Sequence, residues 1–157
     1  MNIKSLVVKQ YRDIINAATQ KITGIKVPPE GWLRTNRKAF QMPAKLIMEK
    51  AGIKTSELYR IEKAELDGTL TINKLKETAN AMNCDFYYAV VPRGDISSII
   101  EDKARRHAVK ILNSARVQME LEDQATSMEQ VELQVDKVSE QLIKEMPDWF
   151  WGETNDH

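Results

Sequence analysis

The sequence predicts a mainly α-helical protein with an N-terminal helix, a unit of four short helices, one short strand and a C-terminal helical hairpin. Three observations support this fold class. Apolar residues recur at intervals of three and four through most of the chain, which is typical of amphipathic helices. Glycine and proline residues separate these periodic segments. Only residues 86–91 are rich in aromatic and β-branched residues, as a strand is, and Pro92 ends that run.

The N-terminal segment, residues 1–26, is predicted to be a helix of its own. Its apolar residues have helical spacing: Val7, Tyr11, Ile14, Ile15, Ala18 and Ile22. We expect Gly24 to end this helix. Residues 27–31 contain two prolines, which lack a backbone N–H and are unfavourable inside helices, so a rigid connector is predicted there.

The next segment, residues 27–92, is predicted to hold four helices around one core. The first covers residues 32–41, and the second covers residues 43–51, with Pro43 in the first turn, where proline is tolerated. Gly52 can adopt a positive φ without steric cost. We therefore expect a sharp turn there, before a third helix that begins at Thr55 or one residue earlier.

The third predicted helix has one apolar face, made by Leu58, Ile61 and Ala64, and Ile53 in the preceding turn joins it in the core. The outward residues are candidates for contacting a partner: Ser56, Glu57, Tyr59, Arg60 and Lys63. A fourth helix follows, and Thr71 is predicted to cap its N terminus.

The predicted strand has no second strand in the sequence to pair with. We expect residues 86–91 to pair with the same segment of a second subunit, or to lie extended against the core. In both alternatives, a neighbouring segment has to supply the contacts that hold residues 86–91 extended.

The C-terminal extension, residues 93–157, is predicted to be helical. One long helix begins at Asp95 and ends at about Glu122, and a break follows around residues 124–127. Beyond it, apolar residues are spaced as in a helical hairpin or short coiled coil: Val131, Val135, Val138, Leu142 and Met146. The aromatic cluster at residues 149–151 is expected to dock on the protein itself or on another protein.

Charge is distributed unevenly although the formal net charge is zero. Residues 32–64 carry eight basic and three acidic side chains, whereas residues 116–157 carry three basic and eleven acidic ones. A basic segment favours an anionic partner. The acidic segment indicates either a surface for another partner or a solvated helical face.

Several classes of protein and site are disfavoured. No apolar run approaches the ~20 residues of a membrane span, and residues 1–25 lack a secretory signal, so we expect a cytoplasmic protein without membrane contact. The single cysteine, Cys84, is expected to be a small buried hydrophobe. His107 and His157 lack metal-ligand spacing, and neither a metal nor a cofactor is expected. No glycine-rich phosphate loop, activated nucleophile or carboxylate pair indicates an enzyme.

The segments around the second and third helices resemble helix-turn-helix regulators of the Xre (Cro) type. The resemblance lies in LRTNRKA at residues 33–39, AGI at residues 51–53 and LYRIE at residues 58–62. It implies a lambda-repressor-like domain whose third helix enters the major groove of DNA. Ala44 departs from the pattern, because such regulators typically carry glutamine early in the second helix.

A resemblance over most of the chain is to the family called mobile mystery protein A. It lies in VPPEGWLR at residues 27–34, CDFYYAVVP at residues 84–92 and MELEDQ at residues 119–124. This resemblance implies a regulator or antitoxin encoded on a mobile element beside a Fic-domain toxin, its partner. Residues 97–102 match the inhibitory motif of small Fic antitoxins only in part, since Asp102 stands where glycine or asparagine belongs.

The predicted function is sequence-specific binding of double-stranded DNA. The residues assigned to base contacts are Lys54, Thr55, Ser56, Tyr59 and Arg60. Those assigned to phosphate contacts are Arg34, Arg37, Lys38, Lys45 and Lys50. Three alternatives stay open: Arg60 pairs with Glu57 or Glu62, Lys38 only solvates a helix, and Tyr59 packs over the core edge.

We expect a homodimer, because one subunit reads only a few base pairs. The surfaces available for pairing are the predicted strand and the apolar stripes after Asp95, unless these only complete the core of one subunit. The rival function is an antitoxin that acts mainly by protein binding, through the acidic C-terminal helices and the aromatic residues 149–151.

Overall fold

A computed structural model of the chain describes residues 2–121 and 127–152, except for the side chains of Thr55 and of residues 116–121. The predicted mainly α-helical class is confirmed. The helices are α1 (Ile3–Ile22), α2 (Trp32–Ala39), α3 (Ala44–Ala51), α4 (Thr55–Asp67), α5 (Ile72–Ala81), α6 (Ile96–Leu121) and α7 (Met128–Glu145), followed by a short 3-10 helix (Asp148–Trp151). The chain divides into two compact units, Met1–Val91 and Pro92–His157.

The core of the first unit lies among α2, α3, α4 and α5. Leu33 of α2 and Ile47 of α3 are buried there against Leu58 and Ile61 of α4. Met82, at the end of α5, closes this cluster. Burial of such side chains is the main favourable term in folding, so these five residues hold the four short helices together.

Tight turns set the spacing of these helices. Gly52 adopts a left-handed conformation with φ 67° and ψ 30° at the end of α3. The amide of Ile53 then donates to the Met48 carbonyl oxygen at 3.0 Å, and the Ile53 side chain packs against the core. At the start of α5, the Thr71 hydroxyl accepts a hydrogen bond from the Lys74 amide at 3.2 Å. A glycine C-cap and a threonine N-cap thus end and begin helices where the sequence predicts.

The strand predicted over residues 86–91 is not confirmed. Residues 84–92 adopt neither helix nor strand, and the part of the chain that the structure describes contains no strand. The physical reason is that a strand is defined by hydrogen bonds to a neighbouring strand, which none of the described segments supplies. Phe86 and Tyr88 stack with ring centroids 6.0 Å apart, while Tyr87 and Val90 are exposed.

The second unit is built from α6 and α7, which pack side by side. Ala104 and Ala108 of α6 are fully buried, and Val135 and Leu142 of α7 lie in the same cluster. Small residues on α6 let the two helices approach closely. The predicted break between these helices covers residues 124–127, of which 124–126 lie outside the described residues and Ser127 caps the N terminus of α7.

The aromatic residues after α7 dock on the second unit itself. Phe150 is fully buried in the α6–α7 cluster, whereas Trp149 and Trp151 are each about half exposed. The buried His107 on α6 donates from Nε2 to the Phe150 carbonyl oxygen at 2.9 Å. Of the two predicted roles for this cluster, its central ring therefore completes the protein's own core.

We predict that Phe150→Ala lowers the free energy of unfolding of the second unit by about 3–5 kcal/mol, because it leaves a cavity between α6 and α7. Urea denaturation followed by circular dichroism measures this loss. Leu133→Ala, at an exposed position of α7, is the control and should change stability by less than about 0.5 kcal/mol. Equal losses in the two variants would contradict a structural role for Phe150.

Candidate nucleic-acid interface

A buried ion pair joins α2 to α4. Arg37 of α2 donates from Nε to Glu62 Oε1 at 2.6 Å and from Nη2 to Glu62 Oε2 at 3.1 Å. The side chains are 14% and 6% exposed, respectively. The hydrogen bond to Glu62 raises the pKa of Arg37, although burial opposes this rise. Two parallel hydrogen bonds between a guanidinium and a carboxylate fix orientation as well as distance, so this pair sets how α2 lies on α4.

A second carboxylate of α4 caps the N terminus of α2. The amides of Trp32 and Leu33 donate to Glu65 Oε1 at 2.6 Å and Oε2 at 3.0 Å. The first amides of a helix have no intrahelical acceptor and carry a partial positive charge, which a carboxylate stabilises. Gly31 precedes them with φ 82°, and a Cβ atom there would lie 2.9 Å from Glu65 Oε2. Only glycine therefore leaves room for this cap.

The outer face of α4 is polar and carries two cations. Ser56, Tyr59, Arg60 and Lys63 are all exposed and follow helical spacing along one face, away from the buried Leu58 and Ile61. Lys54, in an extended conformation at the N-cap, is also exposed. Four of the five predicted base-contacting residues thus lie together at the start and on one face of α4. The side chain of the fifth, Thr55, lies outside the described residues.

The sequence predicts Lys63 to be an outward residue that could contact a partner, but no base or phosphate contact is assigned to it there. It lies one turn beyond Tyr59 and Arg60 on the same exposed face. Lys63 follows Arg60 by three residues and Tyr59 by four, and this helical spacing is the sequence feature that could have placed it with the predicted base-contacting residues. The candidate surface of α4 is therefore defined here as Lys54, Ser56, Tyr59, Arg60 and Lys63.

The predicted pairing of Arg60 with a neighbouring acid is not found. Glu62 is occupied by Arg37, and Glu57 lies 3.9 Å from Lys74 Nζ. Among the described residues, no ion pair engages Arg60, and the same holds for Lys54 and Lys63 of the same surface and for Lys50 of α3. These cations are therefore available to an external anion.

The predicted phosphate-contacting residues divide into three groups. Arg37 is held inside the unit by Glu62, so its guanidinium does not point to solvent as the sequence prediction assumed. Lys45 is exposed at 4.0 Å from Glu49, and Lys50 is exposed. The remaining two cations share one carboxylate: Lys38 Nζ lies 2.6 Å and Arg34 Nε 3.8 Å from Glu30 Oε2.

Glu30 is the acidic centre of this small network. Its carboxylate accepts a hydrogen bond from Lys38 Nζ at 2.7 Å, and this contact, helped by the charge of Arg34, lowers the pKa of Glu30. All three side chains are about half exposed. An exposed ion pair of this kind is weak and is screened by salt, so a phosphate can replace Glu30 as the anion beside Arg34 and Lys38.

Three features of the described part of the chain concern other kinds of site. None of its helices is long and apolar enough to cross a membrane. Its histidine, cysteine, aspartate and glutamate side chains do not come together in groups of three that could hold a metal ion. A depression of about 220 Å³ lies beside Lys50, Ile53 and Thr78. It is smaller than the ~300–1,000 Å³ of usual ligand pockets, whereas a second depression, of about 450 Å³ beside Lys76 and Tyr87, lies within that range.

Comparisons with family models, curated proteins and solved structures gave no match to this chain.

We predict that Glu62→Ala lowers the free energy of unfolding of the first unit by about 3–5 kcal/mol, because it leaves the Arg37 guanidinium buried without a partner. Chemical denaturation measures the effect. Glu49→Ala, which removes an exposed carboxylate 4.0 Å from Lys45, is the control and should cost less than about 1 kcal/mol.

A second variant distinguishes the loss of the ion pair itself from the cost of leaving the Arg37 charge without a partner. Arg37→Met combined with Glu62→Leu replaces both partners with apolar groups of similar volume and should recover most of the lost stability. If the double variant is as unstable as Glu62→Ala, the uncompensated charge is not the cause of the loss.

Proposed function

We propose that the protein is a sequence-specific DNA-binding transcriptional regulator, in which α3 and α4 form an Xre-type helix-turn-helix and α4 enters the major groove. The observation that carries this proposal is the candidate surface of α4. Its residues are exposed and polar, and its three cations have no ion-pair partner among the described residues. An α-helix fits the major groove, and such side chains are the donors that recognise base edges there.

Different residues make the base contacts and the phosphate contacts. Arg60 and Lys54 donate to the O6 and N7 atoms of guanine, while Ser56 and Tyr59 add hydrogen bonds to neighbouring bases or to the backbone. Thr55, at the first position of α4, contacts a thymine methyl group. The phosphate contacts come from Arg34, Lys38, Lys45 and Lys50, which anchor the protein without reading sequence.

Arg37 has a positioning role in this proposal and makes no DNA contact. With Glu62 it fixes α2 on α4, and the Glu65 cap adds a second link between the same helices. The cations of α2 and those of α4 therefore move as one body. Base contacts depend on such a fixed register, because phosphate contacts position the reading helix on the duplex.

The wider role follows from the family resemblance. We propose an autorepressor of a mobile-element operon of toxin-antitoxin type, acting in the cytoplasm as a homodimer with a Fic-domain partner. The two-fold symmetry of a dimer would match an operator with inverted half-sites.

A second candidate function is an antitoxin that acts mainly by protein binding. It is favoured by α7, which exposes the apolar side chains of Met128 and Leu133 beside acidic residues. Two of those acids, Glu132 and Asp136, are 2.7 Å and 3.1 Å from Arg105 of α6, which reduces the charge left for a partner. Apolar protein binding responds little to salt, whereas DNA binding weakens steeply.

The proposed function is tested by titrating the protein into labelled DNA from upstream of its own gene, at low and moderate salt, with scrambled DNA as control. Preferential binding that weakens as salt rises supports the regulator. Equal affinity for both DNAs contradicts it and favours the antitoxin.

We predict that Ser56→Ala combined with Arg60→Ala weakens binding to the preferred DNA by about 10- to 1,000-fold and leaves binding to scrambled DNA nearly unchanged, because base contacts alone carry sequence information. Fluorescence anisotropy measures both affinities. The control is Lys76→Ala at an exposed position of α5, which should keep the preference. An unchanged preference in the double variant would remove α4 as the reading helix.

We predict the opposite effect for Glu30→Gln. Removing this carboxylate frees Lys38 and Arg34, so affinity for any DNA should rise, and the slope of log affinity against log salt should steepen by about 1. Glu77→Gln, which removes an exposed acid 3.6 Å from Lys74, is the matched control and should leave the slope unchanged. A Glu30→Gln slope equal to that of the unmodified protein would place these two cations away from the phosphates.

A further inference from the structure

Helix α1 presents an apolar face that is largely uncovered among the residues that the structure describes. None of its 20 residues is buried. Ile3, Tyr11 and Ile14 are 83%, 68% and 63% exposed, and Val7 is 39% exposed. Ile25 and Val27, just beyond the helix, are also exposed, at 59% and 68%.

The spacing of this face is the same in both directions along the helix. Its members are residues 3, 7, 11, 14, 18 and 22, at intervals of four, four, three, four and four. The first four are exposed, whereas Ala18 and Ile22 are partly buried. A two-fold axis between Arg12 and Asp13 exchanges position 11 with 14, 7 with 18 and 3 with 22. Two copies of α1 that pair antiparallel about that axis would therefore place every apolar residue of the face opposite another.

The edges of the face are consistent with the same pairing. Flanking positions exchange in the pairs 8 with 17, 10 with 15 and 6 with 19, and all six residues are uncharged. Lys9 and Asp13 form an ion pair at 2.7 Å on the opposite side of the helix. Charged residues are depleted from the centres of protein interfaces, and here the centre of the face has none. Near each end, the axis exchanges Lys4 with Lys21, so that like charges meet at the rim of the pair.

The other surfaces predicted for pairing are less suited to it. The apolar stripe of α6 is largely used within the second unit, where Ile100, Ala104 and Ala108 are buried against α7. The exposed side chains of Tyr87, Tyr88 and Val90 belong to a short segment without regular structure.

We propose that α1 is a homodimerisation helix, which packs antiparallel against α1 of a second copy of this chain. Tyr11 contacts the partner's Ile14 next to the two-fold axis, and Val7 contacts the partner's Ala18 farther out. The inference rests on the proposed function only in giving the dimer a purpose, since a regulator that binds a two-fold operator has to be a dimer. The pairing itself can be tested without DNA.

The first experiment measures the molar mass of the full-length chain by light scattering and sedimentation over a range of concentrations. The unmodified protein should be a dimer. Tyr11→Glu combined with Ile14→Glu places four carboxylates around the axis and should weaken the dimer at least ~100-fold, with circular dichroism unchanged. Asn16→Glu combined with Gln20→Glu adds the same charge to the polar face and should leave the dimer intact.

The second experiment tests orientation by disulfide formation, in a Cys84→Ser background. Equal mixtures of a Val7→Cys chain and an Ala18→Cys chain should cross-link with each other. Neither chain should cross-link with itself, because antiparallel pairing separates the two copies of position 7 by eleven residues, about 16 Å along the axis at the helical rise.

Three results would overturn the proposal: a monomeric unmodified protein, a dimer unaffected by the two glutamates at positions 11 and 14, or cross-links within each single-cysteine chain. A dimer that survives the α1 variants would instead point to residues 87–90. Failure here is separate from failure of the proposed function, since the DNA titration compares preferred with scrambled DNA whatever the subunit number.

Discussion

The first unit depends on two carboxylates placed one turn apart on α4. Glu62 holds the Arg37 side chain, and Glu65 accepts the first two amides of α2, so the eight residues of α2 are held at both their middle and their N terminus. A helix this short is not stable alone, because too few hydrogen bonds offset the cost of its first turn. These contacts, together with the burial of Leu33, supply what α2 lacks and fix its position on α4.

The sides of α4 consequently differ in the residues that they carry. One side, with Leu58 and Ile61, lies in the core, and the next side carries the two carboxylates that bind α2. The remaining side is left to Ser56, Arg60 and their neighbours. Because the acids of α4 that lie nearest to α2 are fully engaged, they do not neutralise the exposed cations. A segment of modest net charge therefore keeps a locally cationic outer face, which is what attraction to a phosphate backbone requires.

The sequence predicted what depends on neighbours along the chain. Helical spacing identified Leu58 and Ile61 as core residues, and local chemistry placed the Gly52 turn and the Thr71 cap. It could not predict contacts made across the fold: Glu62 lies 25 residues from Arg37, and a charged residue on a helix is ordinarily solvated. The same limit explains the strand, because composition favours extended backbone whereas hydrogen-bonded pairing needs a second segment.

Both units leave some apolar residues exposed. In the second unit, α6, α7 and Phe150 bury one another, while Met128 and Leu133 stay exposed. In the first unit, exposed apolar residues are most numerous on α1 and at residues 87–90, and single ones such as Phe40 and Leu66 lie elsewhere. Three side chains over four residues are too few for a stable interface by themselves, since such interfaces bury ~800 Å² on each partner. The exposed apolar residues of α1 extend from Ile3 to Ile14, about three turns, and the apolar positions of the whole helix have a spacing that is equal in both directions. That symmetry satisfies the geometric condition for pairing identical surfaces, and the short segment does not offer it.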